Sequence, residues 1–100
     1  MKNQKLNNKQ EAKKTAIGFT ENGWEDYQHW KNSDPKLFEK LNDLLDACMA
    51  DPFKGIGKPE PLKGNLTGLW SRRIDREHRL VYTIEAGTLY VIQCRYHYGS

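Results

Sequence analysis

Apolar residues recur at helical spacing most regularly in one stretch of the chain. They follow an i, i+1, i+4, i+7, i+8, i+11 pattern, which places them on one face of a helix: Leu37, Phe38, Leu41, Leu44, Leu45 and Cys48. Asp34 followed by Pro35 is typical of an N-cap with proline at the first helical position. The run Asp51-Pro52-Phe53 predicts where this helix ends.

A second helix is predicted immediately before it, on aromatic residues. Trp24, Tyr27 and Trp30 form one stripe, for which packing in a core is favoured over stacking on nucleic-acid bases. The helix is expected to begin near Trp24, with either Thr20 or Asn22 as its cap. The two predicted helices should form a hairpin that lies on a sheet.

Strands are predicted at the start of the chain and throughout its second half. Residues 15–19 suggest a short first strand, and Leu69–Ile74, Arg79–Ile84 and Thr88–Tyr96 suggest a three-stranded meander. The last of these is apolar on both faces and is expected to be central. Helices followed by mainly antiparallel strands predict an α+β fold.

The loop before the meander has an unusual composition. Gly57-Lys58-Pro59-Glu60-Pro61-Leu62-Lys63-Gly64 places a carboxylate between two prolines and flanks it with lysines. Each proline fixes its own φ and biases the preceding residue toward extended geometry. We therefore expect a stiff, extended turn outside both helix and sheet, which holds Glu60 for chemistry or recognition.

Composition restricts the class of protein. One hundred residues suit a single domain. The net charge of +3 is uneven, with +4 in residues 1–16, −4 in residues 17–50 and +3 in residues 51–100. The basic C-terminal half predicts a surface that binds a polyanion, with nucleic acid the favoured partner.

Residues 1–13 are polar and lysine-rich, so we expect a disordered basic tail, either a natural arm or an added extension. Cys48 and Cys94 fall in apolar stretches without a CxxC spacing, which favours buried, reduced thiols over a disulfide. No apolar run reaches membrane-spanning length and no signal core is present, so the chain is expected to be cytoplasmic.

The polar residues of the second half suit the cleavage of RNA through its own 2′-hydroxyl. This reaction needs a base for the hydroxyl proton, an acid for the leaving 5′-oxygen and cations for the phosphorane. Glu60 is the candidate base and His97 the candidate acid. The candidate cations are Lys63, Arg73 and Arg79, of which the two arginines should meet across one turn. Tyr96 and Tyr98 are candidates for stacking on unpaired bases.

Plainer interpretations stay open for each residue. Glu60 can pair with Lys58 or Lys63, and a positive strand face can be a solvated surface. His78 is expected to be structural and His29 a surface residue. The cysteines and histidines lack the short spacing of a metal site. The residues alone therefore leave two interpretations, a small nucleic-acid binder or a nuclease.

Five segments in order also resemble one protein family, the YoeB/Txe toxins of the RelE-like superfamily from bacterial type II toxin–antitoxin systems. These segments, spread over residues 16–98, are Trp24-Glu25-Asp26-Tyr27, the run from Pro52-Phe53 through Gly57-Lys58-Pro59-Glu60-Pro61-Leu62-Lys63, Trp70-Ser71-Arg72-Arg73-Ile74, Glu77-His78-Arg79-Leu80-Val81-Tyr82 and Arg95-Tyr96-His97-Tyr98.

The resemblance implies a RelE/microbial-ribonuclease-like fold and a metal-independent endoribonuclease that needs no cofactor. It implies an enzyme that cuts mRNA in the A site of the 70S ribosome and thereby inhibits translation. It also implies a YefM/Axe-type antitoxin, a homodimer, and binding of operator DNA only as the toxin–antitoxin complex. The alternative is a non-catalytic inhibitor that binds the ribosome or RNA and acts by occupancy.

The resemblance also implies roles for six residues. Glu60 corresponds to the family's base, His97 to its general acid and Arg79 to its principal phosphate-stabilising arginine; Lys63, Arg73 and Tyr98 correspond to supporting positions. Two departures are the polar residues 1–13 and the terminal Gly99-Ser100. We therefore expect one RelE-like toxin domain over residues 14–98, with residues 99–100 as an extension.

Overall fold

The computed structural model describes residues 16–97. Its elements in chain order are β1 (Ala16–Phe19), α1 (Glu21–Ser33), α2 (Pro35–Ala50), β2 (Glu60–Pro61), a short 3-10 helix (Gly64–Leu66), β3 (Trp70–Arg73), β4 (Arg79–Glu85) and β5 (Thr88–Gln93). The strand order in the sheet is β1-β5-β4-β3-β2. Every pairing is antiparallel except that of β1 with β5. The predicted α+β class and mainly antiparallel sheet are confirmed, whereas the tail, Tyr98 and Gly99-Ser100 lie outside the described residues.

Side-chain caps begin both helices. Helix α1 begins at Glu21, three residues earlier than predicted, and Thr20 is its cap because its Oγ1 accepts the Gly23 N–H at 2.9 Å. The same hydroxyl donates to the Ile92 carbonyl at 2.8 Å, which ties the start of α1 to β5. Asp34 caps α2 as predicted, with its Oδ1 accepting the Leu37 N–H at 3.1 Å.

The hydrophobic core lies between the helices and one face of the sheet. Its buried members come from both helices, from two strands and from the segments that follow β3 and β5: Trp30, Leu41, Leu44, Leu45, Cys48, Ile74, Leu80, Tyr82, Leu89, Val91 and Cys94. The indole N–H of Trp30 donates to the Cys94 carbonyl at 2.8 Å. Core packing explains only part of the predicted aromatic stripe, because Trp24 is 48% exposed.

Both cysteines are buried free thiols, as predicted. Burial raises the pKa of the Cys48 thiol to about 11, and burial followed by the nearby Asp26 carboxylate raises the pKa of Cys94 as well. Because the thiolate is the reactive form, both groups are held in their unreactive state near neutral pH.

The meander differs from the prediction at the end of its last strand. Strand β5 ends at Gln93 rather than at residue 96, because the β4–β5 register shifts between Val81 and Tyr82 and Tyr96 adopts a positive φ of 65°. Strand β5 is interior, between β1 and β4, but the middle position of the sheet belongs to β4.

The prediction that the proline-rich loop lies outside the sheet is wrong. Glu60 pairs with Ser71 and Pro61 with Trp70, so the loop supplies the edge strand β2. An edge position tolerates proline, because only one side of the strand needs hydrogen-bond donors. Beyond β2, the Leu62 N–H donates to the Leu69 carbonyl at 2.9 Å. Glu60 is therefore held at the sheet edge by backbone pairing as well as by its two proline neighbours.

Gly57 at the start of this loop allows a direct test of its packing. Its φ is +84°, and an added Cβ would lie 2.8 Å from Cδ2 of Leu44 and 3.1 Å from Cβ of Arg72. We expect Gly57→Ala to lower the free energy of unfolding by about 2–4 kcal/mol, the sum of left-handed strain and overpacking. Gly64→Ala is the matched control, since Gly64 has a φ of +64° and no atom within 4 Å of its added Cβ. Gly64→Ala should lower the free energy of unfolding by only about 1 kcal/mol. Equal losses in urea denaturation would show that close packing at Gly57 contributes nothing.

Candidate active site

The sheet register places three of the candidate residues on one face. Residues directly opposite each other on paired strands share a face, and so do alternate residues along one strand. The pairs Glu60–Ser71 and Arg73–Arg79 therefore put both arginines and Glu60 on the same side of the sheet. The helices pack on the other side, where Arg72, Leu80 and Tyr82 are buried.

These three residues are close neighbours on that face. Arg73 and Arg79 are directly opposite each other, as predicted, which brings their Cβ atoms within about 5 Å. Glu60 is diagonal to Arg73 across the β2–β3 pair, at about 7–8 Å. Among residues 16–97, no lysine or arginine nitrogen lies within 4.0 Å of the Glu60 carboxylate, so the alternative of an ion pair with Lys58 or Lys63 does not hold here.

Backbone carbonyls orient the Arg79 guanidinium. Its Nη1 donates to the carbonyls of Asp75 at 2.9 Å and His78 at 3.2 Å, with a longer contact to Arg76 at 3.4 Å. Within the described part of the chain, its Nε and Nη2 make no hydrogen bond. The guanidinium is thus held by one nitrogen, while Nε and Nη2 stay available to donate to an anion such as a phosphate.

The segment after β5 runs beside the start of β4 and brings in His97. The Tyr96 carbonyl accepts the Arg79 N–H at 3.1 Å, and the Tyr96 N–H donates to Nδ1 of His78 at 2.7 Å. The Arg95 guanidinium lies over the Tyr96 ring at 4.8 Å and over the Trp30 ring at 5.9 Å. His97 is exposed and follows directly after this anchored residue. His78 has the structural contacts that were predicted for it.

Glu60 and His97 therefore stand on opposite sides of the two arginines. Four neighbouring chain segments carry the four residues in the order His97, Arg79, Arg73 and Glu60. Three strand spacings separate the outer two segments, about 14 Å at the backbone.

The other two candidate residues are not joined to this group. Lys63 is exposed, two residues after β2, and no hydrogen bond or ion pair links its side chain to another residue in 16–97. Tyr98 lies just beyond the described residues.

Arg72 has a role that the sequence analysis missed. From the sequence, Arg72 had no role beyond its place in a family motif, yet its side chain is fully buried. Its guanidinium donates to the carbonyls of Asp51 at 2.6 Å, Lys54 at 2.9 Å and Ile56 at 3.0 Å. Its Nε donates to the Tyr82 hydroxyl at 3.2 Å. A signal was available, because Arg72 alternates with the apolar Trp70 and Ile74 in the predicted strand Leu69–Ile74.

These bonds fix residues 51–57, which lead into β2. The Tyr82 hydroxyl donates in turn to the Pro52 carbonyl at 2.5 Å, and burial raises the pKa of Tyr82 to about 12, which keeps that donor protonated. The Arg73 N–H donates to the Gly57 carbonyl at 2.7 Å. The position of Glu60 therefore depends on a buried arginine behind the sheet as well as on the prolines.

We expect Arg72→Lys to lower the free energy of unfolding by about 2–4 kcal/mol. A lysine retains the charge but cannot reach the four acceptors, and each buried carbonyl without a donor costs about 1–3 kcal/mol. Arg73→Lys is the matched control at the next position, where the side chain is exposed and the change should stay within about 0.5 kcal/mol. Urea denaturation measures both, and similar values would contradict the role given to Arg72.

A family model for the YoeB-like toxin of bacterial type II toxin–antitoxin systems matches residues 19–98. The chain belongs to this family. It is 57% identical over 82 residues to a toxin YoeB from Streptomyces coelicolor, which covers 82% of this chain and 98% of that protein. No single segment carries the match, since it includes both helices and the whole meander.

Solved structures of YoeB-family toxins share the fold. A YoeB/ParE toxin from Agrobacterium tumefaciens has a TM-score of 0.82 and 48% identity, covering 84% of this chain and 100% of that one. Two structures of YoeB from Staphylococcus aureus each have a TM-score of 0.78 and cover 84% of this chain and 98% of that one. The YoeB dimer is 45% identical to this chain, and YoeB in the YoeB-YefM complex is 44% identical. In this YoeB-family chain, no helix within residues 16–97 has the length and apolar character needed to cross a membrane.

Proposed function

We propose that this toxin is a ribosome-dependent endoribonuclease that cuts mRNA in the ribosomal A site through attack by the 2′-hydroxyl. The observation that carries the proposal is that Glu60, Arg73 and Arg79 share the sheet face away from the helices, with His97 next to Tyr96, whose carbonyl accepts the Arg79 N–H. Membership in a toxin family supports an activity directed against the cell.

In the proposed reaction, Glu60 takes the proton of the 2′-hydroxyl and the 2′-oxygen attacks phosphorus. The bond from phosphorus to the 5′-oxygen breaks, and protonated His97 donates its proton to that oxygen. The products are a 2′,3′-cyclic phosphate and a 5′-hydroxyl. Arg79 and Arg73 stabilise the additional negative charge of the phosphorane, Lys63 supports the phosphate and Tyr98 supports the bound RNA. This scheme requires no metal or cofactor.

The exposure of the site residues supports dependence on the ribosome. Glu60, Arg73 and His97 are exposed, so the toxin alone holds a flexible RNA strand only loosely. The ribosome would supply the in-line geometry that converts these side chains into effective catalysts. We expect slow, poorly specific cleavage of free RNA.

Partners are proposed from the relatives. The complex of Staphylococcus aureus YoeB with YefM supports a YefM/Axe-type antitoxin that inhibits this toxin, and the YoeB dimer supports a homodimer. We also propose that operator DNA binds only to the toxin–antitoxin complex and that the toxin acts in the cytoplasm.

Toeprinting on programmed 70S ribosomes tests the activity. Wild type should cut the message within the A-site codon, whereas His97→Gln should leave it intact. The antitoxin should abolish cutting when it is added first. A wild-type protein that stalls ribosomes on an intact message would contradict the proposal and favour inhibition by occupancy.

A further inference from the structure

His78 is a buried histidine outside the proposed set of reacting groups. It lies in the turn between β3 and β4 and is 8% exposed. Its ring packs edge-on against Trp30, with 4.7 Å between ring centroids, and its Nδ1 accepts the Tyr96 N–H at 2.7 Å. Its own backbone N–H donates to Oδ1 of Asp75 at 2.7 Å, which fixes the turn that carries the ring.

Nδ1 of His78 bonds to Tyr96, a residue with a strained backbone conformation. Tyr96 has a φ of 65°, a left-handed conformation that is unfavourable for a residue with a side chain. Two hydrogen bonds to neighbouring residues maintain it, from its N–H to His78 and from the Arg79 N–H to its carbonyl. The direction in which the chain enters His97 is set by this conformation.

We propose that His78 is a positioning residue for His97, and that it acts through the Tyr96 backbone. The inference rests on the proposed function, in which His97 is the general acid. His78 does not touch the substrate; it fixes the Tyr96 peptide, so that the next residue projects its imidazole toward the phosphate held by Arg79.

The hydrogen bond from the Tyr96 N–H requires an unprotonated Nδ1 on His78, since an imidazolium has no acceptor. A neutral His78 therefore carries its proton on Nε2, the atom that lies 3.8 Å from Oε1 of Glu77. The other groups in contact with the ring are the aromatic side chains of Trp30 and Tyr96.

Two substitutions at His78 distinguish the effect of the hydrogen-bond acceptor from the effect of the packed ring. His78→Asn places an amide oxygen at the position of Nδ1, one bond beyond Cγ, but removes the packing against Trp30. His78→Phe keeps a ring of similar shape and removes the acceptor. We expect the Phe variant to be the more stable of the two, yet to have a kcat for A-site cleavage at least 10-fold below that of the Asn variant, with KM similar. A purely structural role predicts the opposite order, in which activity follows stability.

Nuclear magnetic resonance provides a second measurement that does not depend on activity. Hydrogen exchange at the Tyr96 amide should be slow in wild type and in His78→Asn, and at least 10-fold faster in His78→Phe. The His97 ring resonances should move in His78→Phe and stay near the wild-type position in His78→Asn.

These results distinguish the two proposals. If wild type does not cut RNA on the ribosome, the proposed function fails, while the resonances of Tyr96 and His97 still decide whether His78 positions them. If the Phe variant cuts as fast as the Asn variant, or if His97 keeps its wild-type resonances in the Phe variant, the role given to His78 is wrong.

Discussion

Replacing Arg79 with alanine is expected to lower the rate of mRNA cleavage on the ribosome by roughly 10²–10³-fold. Its guanidinium is held by backbone carbonyls through Nη1, and Nε and Nη2 can face a phosphate. Removing a donor that is oriented before the substrate binds removes stabilisation of the phosphorane, so the loss should appear in kcat. Single-turnover cleavage on programmed ribosomes measures it.

Two variants control this prediction. Arg79→Lys keeps the charge and loses the planar fork, so its rate should fall between those of wild type and Arg79→Ala. Arg76→Ala removes an exposed cation from the adjacent turn and should change the rate by only a small factor. If Arg76→Ala and Arg79→Ala were equally impaired, the effect would come from net charge rather than from an oriented guanidinium.

Replacing Glu60 with glutamine should lower the cleavage rate by roughly 10²–10⁴-fold, the range for loss of a general base. Glutamine keeps the size of the side chain and its position on β2 but takes no proton. Glu60 is exposed at the sheet edge, so the free energy of unfolding should change by less than about 0.5 kcal/mol.

Glu85→Gln supplies the matched control for Glu60. Glu85 is exposed at the far end of β4, and its substitution removes the same charge away from the arginines. Its cleavage rate should equal that of wild type. A Glu60→Gln variant that cuts at the wild-type rate would exclude Glu60 as the base and direct attention to another proton acceptor, including one supplied by the ribosome.

The parts of the fold that could be predicted are those with strong local signals. Helix α2 has an uninterrupted apolar stripe, an aspartate cap and a proline at its first position, and all three features occur as expected. The proximity of Arg73 and Arg79 followed from a short turn between two antiparallel strands. The roles given to His97 and Tyr98 came from the chemistry of their side chains as well as from the family resemblance.

The errors arose where distant segments determine the structure. Strand β2 forms because it pairs with the edge of β3. Its proline, and the one just before it, argue against a strand when the sequence alone is considered. Arg72 is buried because residues 51–57 fold over it and present three carbonyls, none of which has a sequence signature. The left-handed Tyr96 depends on a hydrogen bond to His78, eighteen residues earlier. Each of these long-range contacts helps to position a candidate site residue.

The most direct test of the central claim is cleavage of a message with a single 2′-deoxy nucleotide at the scissile position of the A-site codon. The unmodified message on 70S ribosomes should be cut there and yield a 2′,3′-cyclic phosphate, and the 2′-deoxy message should remain intact at that position. Cleavage of the 2′-deoxy message, or stalled ribosomes on an uncut unmodified message, would contradict the account.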